Sequence, residues 1–200
     1  MFHEERTMSA PKTKRGRERR AQILAAAEQM FGARGYADTS VADITRAAGA
    51  AQGTLYIYFS GKEEIFSELV REMGRMTRRA MARAVADAPD RLEAERRGLA
   101  AFLRFAAERP ALYRIVEEAR FVDPAAYRAY FTEFAEAYRQ SLDKAEAEGS
   151  IRPGDNEVRA WMLMGIAKSL GDRFVLWEGG GDLDHVVEAA FDMIRDGLAP

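Results

Sequence analysis

The segment 39–59, TSVADITRAAGAAQGTLYIYF, decides the fold, because it reads as two short helices joined by a glycine turn. Ser40 can cap the first helix by accepting from a free backbone N–H, and Asp43 lies three residues on, in capping-box register, so the helix begins at Val41. Val41, Ile44, Ala47 and Ala48 recur at three-to-four spacing and give a small apolar face suited to close packing. Gly49 can take a left-handed conformation without steric cost, and a turn of about three residues sets two helices at a steep angle. That is helix-turn-helix geometry. In the second helix, 52–59, Leu55 and Phe59 sit four apart and face the core, leaving Gln52, Gly53, Thr54, Tyr56 and Tyr58 for the outer face and the N-terminal end. Gln can pair bidentately with adenine, Thr and Tyr can reach phosphates or a thymine methyl, and Gly lets backbone approach backbone. Alanine-rich helical hairpins are also common in proteins that touch no DNA, and both tyrosines fit equally well as half-buried aromatics. Composition alone leaves the two readings even.

Charge distribution bears on that choice. The chain has a net charge of −2, yet residues 1–62 carry ten basic and six acidic side chains, a balance of +4 that leaves −6 for the rest. A basic end attached to an acidic remainder is the polarity expected of a DNA-binding module joined to something else. The opening MFHEERTMSAPKTKRGRERR is too polar to pack, and 1–16 reads as a disordered arm in which Lys12, Lys14 and Arg15 can attract phosphate or reach a minor groove.

Several function classes are excluded. Cysteine is absent, which removes disulfides, thiolate catalysis and cysteine-based metal or redox sensing. The two histidines, His3 and His185, are far apart, so no metal site and no cofactor is expected. Carboxylate pairs such as Glu117-Glu118 and Glu133-Glu136 lie at the spacing of solvated helix faces, without a companion nucleophile or phosphate-cradling loop, and no catalytic residue is assigned. No stretch approaches the roughly 20 apolar residues needed to cross a bilayer, the longest run lying at 161–167. The basic opening has no apolar segment behind it of signal-peptide type, so the expected compartment is the cytoplasm, with no membrane partner.

Residues 39–64 resemble the DNA-binding domain of the tetracycline-repressor (TetR) family of bacterial regulators. The resemblance rests on TLYIYF at 54–59, on SGKEEIF at 60–66 leading into the next helix, and on ILAAAEQMFGARGY at 23–36, which is similar to the family's first helix and its closing glycine-aromatic element. About 50 residues are covered by ordered motifs at the family's spacing. One departure stands out: where the family usually has Ser or Thr capping the recognition helix and often a basic residue next, this chain has Ala51 and Gln52. The resemblance implies an all-α protein with an N-terminal helix-turn-helix domain at 17–62 and an effector-binding and dimerisation domain at 63–200. It implies base or groove contacts by Gln52, Gly53, Thr54 and Tyr56, and phosphate contacts by Ser40, Tyr58 and Lys62. The partner is then double-stranded DNA carrying a palindromic operator.

Apart from the arm, the pattern is helical throughout. Helices are expected at 17–34, 41–47, 52–59, 62–85, from 91 to 108, from 111, at 124–148, at 156–177 and at 183–198, about nine in all, with a loop at 149–155 and no sheet. The last two helices carry more apolar residues than one inward stripe needs, which suits burial against a symmetry mate; family members typically dimerise there, and the candidate interface is Trp161, Met164, Gly165, Lys168, Phe174, Val187, Phe191 and Ile194. The middle helices are rich in aromatics. Phe102, Phe105, Tyr113, Tyr127, Phe131 and Trp161 are candidate walls of a pocket for a small effector with an apolar body, an acyl or aromatic acid being the favoured class, with Arg114, Glu117 or Lys168 as polar anchors. Helical spacing makes the same aromatics ordinary core residues too. The resulting expectation is a one-component regulator, acting as a repressor, that holds its operator as a homodimer and is released by the effector. The alternative is a helical architectural or DNA-binding protein that senses nothing.

Overall fold

The computed structural model describes residues 13–198, in which the chain forms nine α-helices and one π-helical segment, with no strand among the described residues. The three N-terminal helices are α1 (Lys14–Arg34), α2 (Val41–Ala47) and α3 (Gln52–Tyr58). They are followed by α4 (Lys62–Val85), α5 (Arg91–Glu108), α6 (Pro110–Val122) and α7 (Pro124–Ala147). Finally come α8 (Asn156–Leu170), the π segment (Gly171–Trp177) and α9 (Leu183–Leu198).

Local signals account for most of these boundaries. Ser40 and Asp43 form the reciprocal capping box that the sequence predicts, Asp43 N–H donating to Ser40 Oγ at 3.1 Å and Ser40 N–H to Asp43 Oδ2 at 3.1 Å. Asp90, Asp123 and Asp155 cap α5, α7 and α8 by accepting from first-turn backbone N–H groups, and proline opens α6 and α7 where its missing N–H costs nothing. Gly49, between α2 and α3, has φ +59, a conformation that glycine enters freely.

Three expectations change. Helix α1 starts at Lys14 and not at 17, because the Thr13 hydroxyl accepts from Gly16 N–H at 3.1 Å and caps it there. Lys14 and Arg15 are therefore helical, while Lys12, His3 and the rest of the expected arm lie outside the described residues. On α2, Ala47 is exposed and Thr45 takes the inward place. Its hydroxyl donates back to Val41 O at 3.0 Å and Ala42 O at 3.2 Å, which lets a polar residue sit inside. The helix expected over 156–177 changes register at Gly171. There the Tyr113 hydroxyl lies 3.2 Å from Lys168 O and 3.0 Å from Asp172 Oδ1, inserting a side chain into the helical ladder.

One apolar core runs the length of the molecule. It begins with Ile23, Ala27, Phe31, Ile44, Leu55 and Phe59, continues through Ile65, Phe66 and Met73 on α4, and ends among Leu103, Ile115, Leu142 and Val187. Helix α4 thus belongs to both ends. Helices α1 and α6 approach so closely that a Cβ on Gly32 would lie 2.4 Å from Ala111 Cβ and 2.9 Å from Ala111 Cα.

Two predictions follow from this packing. Gly32→Ala forces α1 and α6 apart and costs about 1–3 kcal/mol, seen as a lower urea midpoint at constant slope; an unchanged midpoint contradicts the contact. The second concerns Asp123, whose carboxylate accepts from Ala126 N–H at 3.0 Å and from the Ser67 hydroxyl, and is held by those bonds below its ordinary pKa. A depressed folded value adds stability that is present above the unfolded pKa, about 4, and is lost as pH falls through the folded one. The stability gap between wild type and Asp123→Asn should be full near neutrality and close in acid; a gap independent of pH would contradict the assignment.

Candidate nucleic-acid interface and buried pocket

Helix α3 is held by its inner face alone. Leu55 and Phe59 are fully buried, while Gln52, Gly53, Tyr56 and Ile57 are exposed and Thr54 is half-buried. The two tyrosines divide between the two readings: Tyr56 is 51% exposed, whereas Tyr58 packs half-buried against the core. Ile57, 65% exposed, is an outward residue that the sequence pattern did not single out. Gly53 is unusual in another way. A Cβ placed there would meet nothing within 4 Å, so the protein's own packing gives no reason for glycine in a helix, where it costs about 1 kcal/mol relative to alanine.

Two surface hollows flank α3. One is lined by Arg15, Arg19, Ala50, Ala51, Thr54 and Tyr58, and so brings the N-terminal end of α1 beside the start of α3. Neither Arg15 nor Arg19 has an ion-pair partner among the described residues. Both lie in the first turns of α1, and the start at Lys14 is what makes Arg15 helical. Arg20, by contrast, is a strut: it pairs with Glu68 of α4, one guanidinium nitrogen lying 2.7 Å from the carboxylate, and stacks 4.7 Å from the Phe59 ring centroid.

The other hollow contains Ser40, Tyr56 and Lys62. Here two of the expected phosphate ligands are already engaged. The Ser40 hydroxyl belongs to the capping box of α2. Lys62 donates to Tyr36 O and Thr39 O, both at 3.0 Å, and its ammonium lies 4.1 Å from the Tyr36 ring centroid. It ties the start of α4 to the chain between α1 and α2, a task invisible in sequence because its partners are backbone carbonyls more than twenty residues away. Tyr36 is the centre of this joint. Its ring packs on Phe31 and Phe66, its hydroxyl donates to Glu63 Oε1 at 2.7 Å, and its backbone N–H is shared by both oxygens of Glu118 on α6, at 2.8 and 2.9 Å. Burial and the neighbouring Glu63 carboxylate push the Tyr36 phenol far above its ordinary pKa, so it remains a donor.

The second feature is a buried cavity of about 50 Å³ among α4, α5, α6, α7, α8 and α9. Of the six expected wall residues, Phe102, Tyr113 and Phe131 line it. Phe105 packs elsewhere against the core, and Tyr127 and Trp161 line a neighbouring hollow between α7 and α8. Tyr130, Phe134 and Tyr138 complete the cavity's aromatic wall, their partners being set by helix packing that a one-dimensional pattern does not contain. Glu117 and Lys168 reach the cavity as expected; Arg114 is exposed and turns to Gly32 O, 3.4 Å away.

The expected interface residues also separate. Met164, Val187 and Ile194 are buried within the chain, at 8%, 2% and 7% exposure, and cannot meet a second copy, while Lys168 is occupied by Glu117 and Asp172. Phe174 and Phe191 are half-buried. Trp161 and Gly165 remain outward, joined by Val158 and Met162 on the same helix and by Met193 on α9.

Residues 23–69 match the family model described as bacterial regulatory proteins, tetR family. The whole described architecture matches a tetR-family transcription regulator from Pectobacterium atrosepticum, 26% identical, with a TM-score of 0.74 over 94% of this chain and 98% of that one. Residues 23–69 thus carry a tetR-family domain. Among its relatives in sequence, the HTH-type transcriptional regulator EthR of Mycolicibacterium smegmatis is 32% identical over 122 residues, 56% of each chain. The fold is also that of FadR from Bacillus subtilis, solved in complex with stearoyl-CoA, with a TM-score of 0.77, 21% identity, and coverage of 86% of this chain and 96% of that one. In sequence, the chain spans between a third and 56% of the length of the curated relatives it matches. No described helix is long and apolar enough to cross a membrane, and no cluster of potential metal ligands occurs among the described residues.

The joint yields a prediction that separates structural from DNA-contacting lysine. Lys62→Met removes two carbonyl bonds and the ring contact and should cost about 1–3 kcal/mol of stability in urea titration. An unchanged midpoint accompanied by lost DNA affinity would return Lys62 to the phosphate role.

Proposed function

We propose that the protein is a transcriptional repressor that binds a palindromic operator as a homodimer and lets go when a small effector with an apolar body enters the buried cavity. The observation that carries the DNA-binding half is the outer face of α3, where exposed Gln52, Gly53 and Tyr56 and half-buried Thr54 lie near Arg15 and Arg19, which have no ion-pair partner among the described residues. Gln52, Thr54 and Tyr56 read base edges or the groove; Tyr58, Arg15 and Arg19 hold phosphates. Gly53 admits the sugar-phosphate surface, which supplies the reason for glycine that the protein's own packing lacks. Ser40 and Lys62 serve by positioning α2 and α4.

Dimerisation is supported by the outward stripe Val158, Trp161, Met162 and Gly165, whose spacing along α8 makes one apolar face. A two-fold pair would present two copies of α3, which must lie about 34–36 Å apart to read successive major grooves. For sensing, the cavity supplies the support. At about 50 Å³ it is smaller than a typical ligand site of about 300–1,000 Å³, so an effector must push its wall apart. Helix α6 faces this wall through Glu117 and grips the DNA-reading end through the next residue, Glu118, so the displacement has a short path to α1. Stearoyl-CoA in the FadR neighbour is a precedent, within this fold, for an effector with an apolar body.

Selection of bound fragments from the source genome by the purified protein should recover an inverted repeat, with affinity falling steeply as salt rises. Gly53→Ala should leave the fold as stable or stabilise it by about 0.5–1 kcal/mol while weakening binding to that site. Full affinity in the Gly53→Ala protein would remove α3 from the interface. Failure to enrich any repeat at low salt would favour a role without operator recognition.

A further inference from the structure

The cavity's wall is aromatic, and the charged side chains that interrupt it are Glu95, Glu117 and Lys168. Glu95 stands in the wall with its carboxylate buried and satisfied, taking hydrogen bonds from Arg91 and from the Tyr138 hydroxyl. Glu117 differs. Its Oε2 accepts from Lys168 Nζ at 2.7 Å, but its Oε1 is buried and has no hydrogen-bond partner. An ionised oxygen out of water without a donor is costly, and a donor brought to it recovers that cost.

The cation present is not available to an acid. Lys168 is shared between Glu117 and Asp172, the latter at 2.8 Å; burial disfavours its charge, yet the two carboxylates hold its pKa above the ordinary value. The cluster therefore has one positive and two negative groups. Arg78, beside Tyr130, pairs with Glu133 at 3.0 Å through one nitrogen and leaves Nη1 buried without a partner, but it does not line the cavity. An anionic head would have to strip Lys168 from both partners and lie beside two uncompensated carboxylates. An ammonium instead supplies the missing donor, balances the charge, and sets its polarised methylenes against the ring faces of the wall.

We propose that the effector is an apolar amine, with its ammonium on Glu117 Oε1 and its hydrocarbon or aromatic body among Phe102, Phe131 and Phe134. This rests on the reading of the cavity as the effector site, and it departs from the acid or acyl class expected from sequence.

The test uses the whole protein at neutral pH and three probes of equal shape, phenylbutylamine, phenylbutanol and phenylbutyrate, followed by calorimetry and thermal shift. The amine should bind about tenfold or more tightly than the alcohol, as a charge-assisted bond requires, and the acid most weakly. Glu117→Gln, close in shape, should abolish the advantage of the amine and leave the alcohol unchanged. Preference for the acid, or an amine preference that survives Glu117→Gln, overturns the amine assignment and leaves the cavity as the effector site. Binding by none of the three overturns both.

Discussion

Everything at the DNA-reading end depends on the corner between α1 and α2, where the chain must turn without leaving its polar backbone unsatisfied. Gly35 takes φ +80 there, and the next residue, Tyr36, is gripped from three sides. Glu118 of α6 takes its N–H, Glu63 of α4 takes its hydroxyl, and Lys62 of α4 takes its carbonyl while resting on its ring. A buried N–H must find an acceptor, and here the acceptor comes from a helix 82 residues away in sequence. The helix-turn-helix consequently cannot tilt without disturbing α4 and α6. Thr39, almost fully buried, closes the same corner by donating to Gly35 O at 2.7 Å.

What the sequence makes legible is what short-range chemistry specifies. The capping box at Ser40, the glycine turn at Gly49, the start of α4 at Lys62 and the bounds of α9 are all signalled within a few residues, and the structure reproduces them. The family resemblance reaches further because its motifs are ordered and spaced. Where reading falls short, the missing information is tertiary. Lys62 looks like a phosphate ligand until its carbonyl partners are known, and Val187 and Ile194 look like interface until their burial by the same chain is known. The π segment is a further case, because the cause lies in Tyr113 of α6 and not in the segment itself.

The distribution of charge explains how a recognition helix with no basic residue can sit in a DNA-binding domain. Helix α3, QGTLYIY, has no charged side chain at all. Its neighbours provide the field: Arg15 and Arg19 from the first turns of α1 border the same hollow as Thr54 and Tyr58. Under the proposed function, attraction and readout are carried by different elements, whose relative placement is braced by the α1–α4 strut of Arg20 and Glu68.

Signal transfer needs little energy if it passes through α6. Glu117 and Glu118 are consecutive, so an α-helix points them about 100° apart, one toward the cavity and the other toward Tyr36. They share a backbone, and a shift of α6 that accommodates a ligand at one is felt at the other. Allosteric coupling typically amounts to about 1–3 kcal/mol, and a hydrogen bond to a charged acceptor is worth about 1.5–3 kcal/mol. Under the proposed function, weakening the contact between Glu118 and the Tyr36 N–H would supply a coupling of that size. The same linkage runs in reverse: DNA that fixes the corner in its closed form must raise the cost of opening the cavity by the same amount.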